Sequence, residues 1–187
     1  MYVQKGVGKM AILQQSSRTL VWDSVSSPMG QCILFASDAG LCWVGTPGTP
    51  LDKGLLWAKK HGEEEQVTRA THPILQQAKD ELSRYFASEK ITFATPLDLQ
   101  GTPFQVSVWR ELCNIPYGET RSYGELALTI GRPNAPRAVG AANGSNPIAI
   151  IVPCHRVIGS NGTLTGYGGG LPTKSWLLTL EGALHPA

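Results

Sequence analysis

The chain has 187 residues, of which 42% are hydrophobic and 16% are charged, and its net charge at pH 7 is +2. These values predict a soluble globular protein with one large domain or two small ones, and they neither require nor forbid a nucleic acid partner. No segment approaches the roughly 18 uninterrupted apolar residues of a membrane span, and the first residues lack an apolar core of signal-peptide length. We therefore expect a cytoplasmic protein that does not bind a membrane.

The cysteines and histidines exclude the common metal and disulfide modules. The cysteines are scattered without CxxC spacing, at Cys32, Cys42, Cys113 and Cys154. Such spacing argues against both a disulfide framework and a zinc module, and the four histidines form no ligand-like cluster. We expect no metal and no other cofactor, and a reducing compartment in which a thiolate persists.

The first half of the chain predicts strands followed by a helix. The segments TLVWDSVSS, QCILFAS and GLCWVG have strand-like sequences, and SDAG between the last two is typical of a hairpin turn. A helix is predicted to begin near Thr71–Pro73, because apolar residues follow at helical spacing. ITFATPLDL, residues 91–99, is predicted to be another strand. Nothing in this half suggests chemistry, so residues 1–100 are expected to form a supporting domain.

The second half predicts a mostly helical domain over residues 101–187. Thr102 is placed as the N-cap and Pro103 as the first residue of a helix that is expected to end at Pro116. Two short helices follow, the first with a capping box of Ser122 and Glu125 and the second within APRAVGAANG. A pair of this kind is either a helix-turn-helix or an ordinary helical hairpin, and the pattern alone favours the hairpin.

The second of these short helices is rich in small residues, namely Ala135, Ala138, Gly140, Ala141 and Ala142. Small side chains allow close approach to a surface, which is either a core neighbour or a nucleic acid groove. Arg137 is the only long side chain on it. A major-groove reader would carry several base-reading polar residues, so one arginine among alanines fits a narrow groove better.

Charge along the second half is one-sided. No acidic residue lies between Leu126 and Leu180, whereas this stretch contains Arg132, Arg137, Arg156 and Lys174. A surface built from it would not repel phosphate. A buried core of small residues would need no charge either, and the composition leaves both interpretations open.

A cysteine and a histidine stand together in IIVPCHRVIG, residues 151–160. A free cysteine is usually a small buried hydrophobe. In a regular strand Cys154 and His155 would point to opposite faces, so they cooperate only if Pro153 breaks the strand into a turn or a water bridges them. Asn146 is suited to pin such a turn through its amide. We assign His155 the role of drawing the proton from Cys154, directly or through water.

A base in that role benefits from an orienting carboxylate, and Glu181 is the only acid after Glu125. It lies in the last turn of a predicted helix, where the macrodipole disfavours negative charge, although a solvated helix end is the alternative. Residues 159–170, GSNGTLTGYGGG, contain six glycines. They form either a loop that exposes backbone groups to a ligand, on whose planar ring Tyr167 would stack, or a flexible connector.

These residues carry a resemblance. PCHRVIG, with RAVGAANGSNPI before it and GTLTGYGGGLPTKSWLLTLEG after it, closely resembles the methylated-DNA–protein-cysteine methyltransferases, the O6-alkylguanine-DNA alkyltransferase family. The match is specific from about Thr102 to Gly182, and SPMGQCILFASDAGL fits more loosely. It implies an α+β fold: a small amino-terminal sheet-plus-helix domain of ribonuclease H-like type, then a mostly helical domain with a helix-turn-helix.

The resemblance implies direct, irreversible and single-turnover transfer of an alkyl group from O6-alkylguanine, and from O4-alkylthymine, to the protein. Cys154 would be the acceptor, His155 the water-mediated base, Glu181 its orienting partner and Asn146 the organiser of the turn. The partner implied is double-stranded DNA containing the alkylated base, bound through the minor groove by a monomer that can bind DNA cooperatively.

The resemblance also implies how DNA and the base are held. Arg137 would fill the gap left by a flipped nucleotide and Tyr123 would crowd the target phosphate, while Arg132 and Ser160 contact the DNA backbone. The loop that includes Tyr167 would line the base site. Backbone groups would recognise the guanine. The carbonyls of Cys154 and Val157 would accept from its amino group, and the amide of Gly168 would face O6.

The chain departs from the family pattern at two positions, and three other functions were considered. Ser37 and Cys42 stand where a Cys and a His of the mammalian zinc site are expected, so no metal is expected there. The main alternative is a noncatalytic module that binds alkylated DNA. A helix-turn-helix regulator lacks base-reading side chains here, and a thiol hydrolase would have no use for Arg137 and its alanine-rich helix.

Overall fold

The structure, a computed structural model, describes residues 19–61 and 67–184. The first residues of the chain, where no signal peptide is expected, lie mostly before residue 19 and so outside the described residues. His185 also lies outside them. Within the described ranges no helix is long and apolar enough to cross a membrane.

The amino-terminal part is a four-stranded sheet with one helix on each face. Strands β1, β2 and β3 are antiparallel neighbours, and β4 runs parallel to β1, in the order β3-β2-β1-β4. The elements are β1 (Leu20–Ser27), β2 (Gly30–Ser37), β3 (Gly40–Val44), α1 (Leu51–Lys60), β4 (Val67–Arg69) and α2 (Pro73–Phe86). The three predicted strands, the hairpin turn and α2 are confirmed.

Strand β2 is one of the two inner strands of the sheet. Its successive side chains point to opposite faces, and both faces are covered, so β2 is buried on both sides. Leu34 lies in the cluster that includes the residues of α2, whereas Phe35 lies in the smaller cluster on the side of α1. Helix α1 was not predicted, since Gly54 interrupts its interior. That glycine lets α1 approach the sheet, because a Cβ there would lie 2.3 Å from the ring of Phe35.

The prediction of a strand over residues 91–99 is wrong. This segment makes one isolated bridge, between Leu97 and Leu41 of β3. The amides of Ala94 and Thr95 donate instead to the carboxylate of Glu81, at 3.1 and 3.2 Å. The next residue is Pro96, which has no N–H to donate, so a strand ladder cannot propagate here.

The second part is helical, with one two-stranded parallel pair. Its elements are α3 (Pro103–Leu112), β5 (Arg121–Ser122), α4 (Tyr123–Thr129), α5 (Pro136–Gly144), a 3₁₀ turn (Cys154–Arg156), β6 (Val157–Ile158) and α6 (Gly170–Leu180). The predicted Thr102 N-cap and the Ser122–Glu125 capping box are confirmed. Helix α3 ends at Leu112, earlier than the predicted end at Pro116, because the chain then turns so that Ile115 is buried.

The small residues of α5 do not share one face, which corrects the sequence-based interpretation. Ala142 is buried, and its carbonyl accepts a hydrogen bond of 2.8 Å from the indole N–H of Trp109. Ala138 and Ala141 are exposed, as is Arg137. Helix α5 therefore uses some small residues to pack against α3 and others to form a flat outer surface beside one arginine.

The sheet and the helical part are joined through backbone. The amide of Val44, at the end of β3, donates to the carbonyl of Pro147 at 2.9 Å, and the amide of Ala149 donates to the carbonyl of Val44 at 3.1 Å. The edge of the amino-terminal sheet thus holds the segment that leads to Cys154.

Gly40 at the start of β3 offers a test of this packing. A Cβ at residue 40 would lie 2.8 Å from backbone atoms of Pro96, Leu97 and Asp98, which cannot rotate away. We expect Gly40→Ala to lower the free energy of unfolding by about 1–3 kcal/mol and the melting temperature by about 3–10 °C. The control is Gly124→Ala in α4, where the nearest atom would be 3.9 Å away and the higher helix propensity of alanine should stabilise. Equal melting of the Gly40 variant and the wild type would contradict the assignment.

Candidate active site

The apolar run before Cys154 is not a regular strand. Ile150 has a φ of 71°, a conformation that a β-branched residue rarely adopts and that costs about 1–3 kcal/mol. Pro153 then has φ −83° and ψ 62°, and the amide of Cys154 donates to the carbonyl of Val152 at 2.8 Å. This is an inverse γ-turn. Of the two alternatives left open for cooperation between Cys154 and His155, the break at Pro153 is present, and Cys154 begins a 3₁₀ turn.

Asn146 holds this turn in place. Its Nδ2 donates to the carbonyl of Val152 at 2.8 Å and to that of Ile148 at 3.4 Å, and its Oδ1 accepts from the amide of Ile148 at 3.0 Å. The predicted pinning by the asparagine amide is therefore present. One carboxamide satisfies three backbone groups of a strained segment, so the position of Cys154 depends on it.

Cys154 is protonated at rest. Its side chain is buried, and burial raises the pKa of the thiol. Hydrogen bonding from Asn146, the charge of Lys174 and nearby backbone amides oppose this without cancelling it. A thiolate therefore needs a base to form, because the thiol is not acidic enough by itself.

His155, the next residue, has a neutral ring that Glu181 orients. It is fully buried, its Nε2 lies 2.8 Å from Oε1 of Glu181, and its Nδ1 has no hydrogen-bond partner among the described residues. Burial lowers the pKa of His155, and the bond to Glu181 opposes this only in part, so the ring is neutral near pH 7. Since an ionised carboxylate only accepts, Nε2 carries the proton and Nδ1 keeps a lone pair.

Glu181, just after α6, is the centre of a buried network. Arg156 donates to it twice, from Nε to Oε2 and from Nη2 to Oε1, both at 2.9 Å. The hydroxyl of Tyr85 donates to Oε1 at 2.6 Å. Burial alone would raise the pKa of Glu181, but the hydrogen bonds from His155 and Arg156 outweigh it and lower the pKa to about 2. The carboxylate is ionised, and the alternative of a solvated helix end is wrong.

For two of the basic residues in the stretch without acids, the structure decides between the two open interpretations, because both residues lie inside. Arg156 is 7% exposed and also donates to the carbonyl of Ile115, at 2.6 Å. Lys174 is 0% exposed and donates through Nζ to the carbonyls of Val157 and Thr165. Burial lowers the pKa of Lys174 to about 8. Both belong to the interior that was the alternative interpretation of this stretch.

Sequence reasoning missed the roles of Arg156 and Tyr85. Arg156 directly follows the Cys-His pair, and that adjacency was the available signal. In the sequence Tyr85 is only one of the apolar positions of the predicted helix, and its hydrogen-bond partner Glu181 lies 96 residues later in the chain. Nothing in its local pattern distinguishes it from a core residue.

A small pocket adjoins the thiol. It has a volume of about 40 Å³, enough for water molecules but far less than a purine needs. Tyr167 and Gly168 of the glycine-rich loop and Thr46 of the amino-terminal part are among the residues that line it together with Cys154. The Tyr167 hydroxyl is buried without a hydrogen-bond partner among the described residues, and its ring lies 6.5 Å from that of His155.

The glycine-rich loop is fastened at several points. The amide of Gly159 donates to the carbonyl of Thr163 at 2.9 Å, and Gly169 fits against Thr46, where a Cβ would lie 2.8 Å away. The two carbonyls predicted to read a guanine have protein partners. That of Val157 accepts from Lys174, and that of Cys154 accepts from Asn143 at 3.4 Å. The carbonyl of Cys154 also accepts from the backbone amide of Val157.

The residues predicted to contact DNA lie outside this buried network. Arg137 on α5, Arg132 in the turn before it and Ser160 at the loop tip are exposed. The hydroxyl of Tyr123, at the start of α4, lies 3.0 Å from Oγ1 of Thr165 in the glycine-rich loop. Tyr123 therefore connects the short helices to the loop beside the pocket.

The side chains that bear on metal binding include those of Ser37 and Cys42. Within residues 19–61 and 67–184 no group of three or more His, Cys, Asp or Glu side chains is arranged to hold a metal ion. Ser37 donates to Asp98 at 2.7 Å, and the buried thiol of Cys42 donates to the carbonyl of Phe35 at 3.2 Å.

Comparison with known families matches most of the chain. Residues 20–99 match the model of the 6-O-methylguanine DNA methyltransferase ribonuclease-like domain, and residues 103–183 match that of the DNA binding domain of the same protein. The expected α+β fold, with a small sheet domain before a helical domain, is confirmed.

Individual relatives agree with this assignment. A methylated-DNA–protein-cysteine methyltransferase of Mycobacterium bovis is 64% identical over 110 residues, covering 59% of this chain and 67% of the relative. One from Methanosarcina acetivorans is 48% identical over 157 residues, covering 84% and 95%. The crystal structure of Mycobacterium tuberculosis OGT in complex with DNA has a TM-score of 0.73 at 47% identity, covering 87% of this chain and 93% of that one.

The buried network predicts a large effect of removing Arg156. Arg156→Met fills much of the same space but leaves the carboxylate of Glu181 buried without its cation. We expect the free energy of unfolding at pH 7 to fall by about 3–5 kcal/mol, measured by urea denaturation. Arg110→Met on the exposed side of α3 is the control and should stay within about 0.5 kcal/mol of the wild type. A similarly small change for Arg156→Met would mean that the ion pair does not support the fold.

Proposed function

Since the chain belongs to the 6-O-methylguanine DNA methyltransferase family, we propose that it repairs DNA by moving the alkyl group of O6-alkylguanine to the sulfur of its own Cys154. The observation that carries this proposal is the arrangement of Cys154 beside a pocket, directly followed by a neutral buried histidine that an ionised glutamate orients. A thiol, a base and an orienting carboxylate are the parts that nucleophilic catalysis needs.

The reaction begins with loss of the thiol proton. His155 takes it at Nδ1 through a bridging water, and the ionised Glu181 stabilises the resulting imidazolium. The Cys154 thiolate attacks the alkyl carbon, forming an S–C bond as the C–O6 bond breaks. The electron pair of that bond goes to the guanine, which takes up at N1 the proton that His155 gives back through water, so that the imidazole is neutral again. The overall change is thiol plus O6-alkylguanine to thioether plus guanine.

Each molecule acts once. A thioether, unlike a thioester, offers no carbonyl for water to attack, so the thiol is not regenerated. The dry surroundings of Cys154 favour this chemistry, because excluding water strengthens the electrostatic interactions of the thiolate with its fixed donors. Asn146 is proposed to keep the sulfur in its place during the attack.

The target nucleotide must leave the duplex, because a sulfur buried in the protein cannot reach a stacked base. The exposed Arg137 would fill the gap, and the flat surface of Ala138 and Ala141 beside it suits a narrow minor groove. Arg132 and Ser160 would contact the DNA backbone, and Tyr123 would crowd the target phosphate. The two short helices then act as a helix-turn-helix used from the minor-groove side.

The flipped base would enter the pocket beside Cys154. Its amino group is proposed to meet the carbonyls of Cys154 and Val157, its O6 the amide of Gly168, and its ring the side chain of Tyr167. Because the pocket is about 40 Å³, we propose that its wall at residues 166–168, between the fastened points of the glycine-rich loop, moves outward to admit the base. O4-alkylthymine is proposed as a second substrate.

The remaining proposals concern the protein's setting. The relay and the pocket are built by a single chain, which supports action as a monomer, and neighbouring monomers are proposed to bind DNA cooperatively. None of the four cysteines, all of which the structure describes, forms a disulfide, which suits a reducing compartment, so we propose that the protein acts in the cytoplasm without a cofactor or a metal.

The proposal predicts the fate of a labelled methyl group. With an oligonucleotide duplex that carries labelled O6-methylguanine, label should appear on the intact wild-type protein in a one-to-one ratio. Cys154→Ser should abolish this transfer while DNA affinity stays within a few-fold of the wild type, and Cys113→Ser is the control with normal transfer. Label left on DNA would indicate the noncatalytic binding module, and label in solution would indicate hydrolysis. Stoichiometric alkylation of the Cys154 variant would remove Cys154 from its role.

A second prediction separates base flipping from chemistry. Arg137→Ala should slow transfer from O6-methylguanine in duplex DNA much more than reaction with free O6-benzylguanine base, since only the duplex requires a flipped nucleotide. The two rate constants are measured under single-turnover conditions, with Arg110→Ala as a matched exposed control. Equal losses on both substrates would mean that Arg137 serves the chemistry or the fold instead.

A further inference from the structure

Asn143, on the inner side of α5, is a polar residue at the pocket that the mechanism does not use. It is 3% exposed, it lines the pocket together with Cys154, and its Nδ2 donates to the carbonyl of Cys154 at 3.4 Å. Its Oδ1 is buried and has no hydrogen-bond partner among the described residues. Buried acceptors are nearly always satisfied in proteins, so an unsatisfied one that lines a binding pocket indicates a donor supplied by the ligand.

The orientation of the carboxamide follows from its neighbour. The carbonyl of Cys154 can only accept, so the amide nitrogen of Asn143 must face it, and the oxygen is left over. Across residues 19–61 and 67–184, the other two buried side-chain atoms without a hydrogen-bond partner are Nδ1 of His155 and the hydroxyl of Tyr167. The first serves as the base, and the second can itself donate. Oδ1 of Asn143 can only accept, and therefore requires an N–H or O–H group.

The chemistry of the substrate identifies that group. Alkylation at O6 removes the proton from N1 of guanine, so the exocyclic 2-amino group is the remaining N–H donor of the base. O4-alkylthymine has lost its N3 proton and has no N–H donor at all. An acceptor that only the guanine adduct can satisfy therefore distinguishes the two lesions, because a buried polar group left unpaired penalises the wrong substrate.

We propose that Oδ1 of Asn143 accepts a hydrogen bond from the 2-amino group of the flipped O6-alkylguanine, and that Asn143 thereby sets a preference for O6-alkylguanine over O4-alkylthymine. This inference rests on the proposed function. The amino group has two hydrogens, and the bond from Nδ2 holds the Cys154 carbonyl beside the carboxamide. We assign one hydrogen to Oδ1 of Asn143 and let the carbonyls of Cys154 and Val157 share the other, so Asn143 acts as a substrate-binding residue.

The test compares a variant with a substrate that lacks the same contact. Asn143→Leu has nearly the same shape but no acceptor. Single-turnover rate constants of methyl transfer are measured for wild type and variant on three duplexes, containing O6-methylguanine, O6-methylhypoxanthine, which lacks only the 2-amino group, and O4-methylthymine. With O6-methylguanine the variant should be slower by about 10-fold. With the other two substrates it should be no slower than the wild type within about 2-fold, because neither can make the contact.

The outcomes separate this inference from the proposed function. Equal slowing of the variant on O6-methylguanine and O6-methylhypoxanthine would overturn it, since Asn143 would then act only by holding the Cys154 carbonyl. An unchanged rate on O6-methylguanine would overturn it as well. If the leucine variant does not fold, Asn143→Ala, which adds no bulk, is measured in its place with the same expectations. If wild-type protein transfers no methyl group from any duplex, the proposed function fails.

Discussion

The buried carboxylate of Glu181 is the constraint on which the active-site part of the structure depends. A charge inside a protein is tolerated only when it is paired and fully hydrogen-bonded. Arg156 supplies the opposite charge through two hydrogen bonds, and Tyr85 and His155 satisfy the remaining capacity of the carboxylate. Because these partners come from helix α2 and the 3₁₀ turn, one side chain requires distant segments of the chain to meet.

The same constraint prepares the chemistry. With its charge already neutralised by Arg156, Glu181 does not force His155 to be protonated at rest, yet it fixes which ring nitrogen carries the proton. His155, the proposed base, is therefore neutral and oriented before substrate arrives, and the thiol is also neutral because burial raises the pKa of Cys154. Charge develops only when proton transfer begins, at a place that fixed donors already surround, which is the condition for preorganised catalysis.

The amino-terminal domain contributes more than the passive support that its sequence suggested. Val44 at the edge of its sheet hydrogen-bonds to the segment before the cysteine, Thr46 lines the pocket, and Tyr85 of α2 reaches the carboxylate. Part of the site therefore consists of residues that have no chemical signature of their own. A variant in this domain can alter the reaction without changing any residue of the Cys-His motif.

The sequence by itself determined the features that depend on neighbours along the chain. Strand alternation, capping boxes and the proline at residue 153 are local, and the motifs of the second half pointed to Cys154, His155 and Glu181, the residues proposed as nucleophile, base and orienting carboxylate. Only the tertiary structure decided that Arg156 and Lys174 are interior and that Asn143 has an unsatisfied oxygen. It also decided that residues 91–99 form no strand. Burial and hydrogen-bond partners arise when distant segments pack together, and no local pattern records which segments those are.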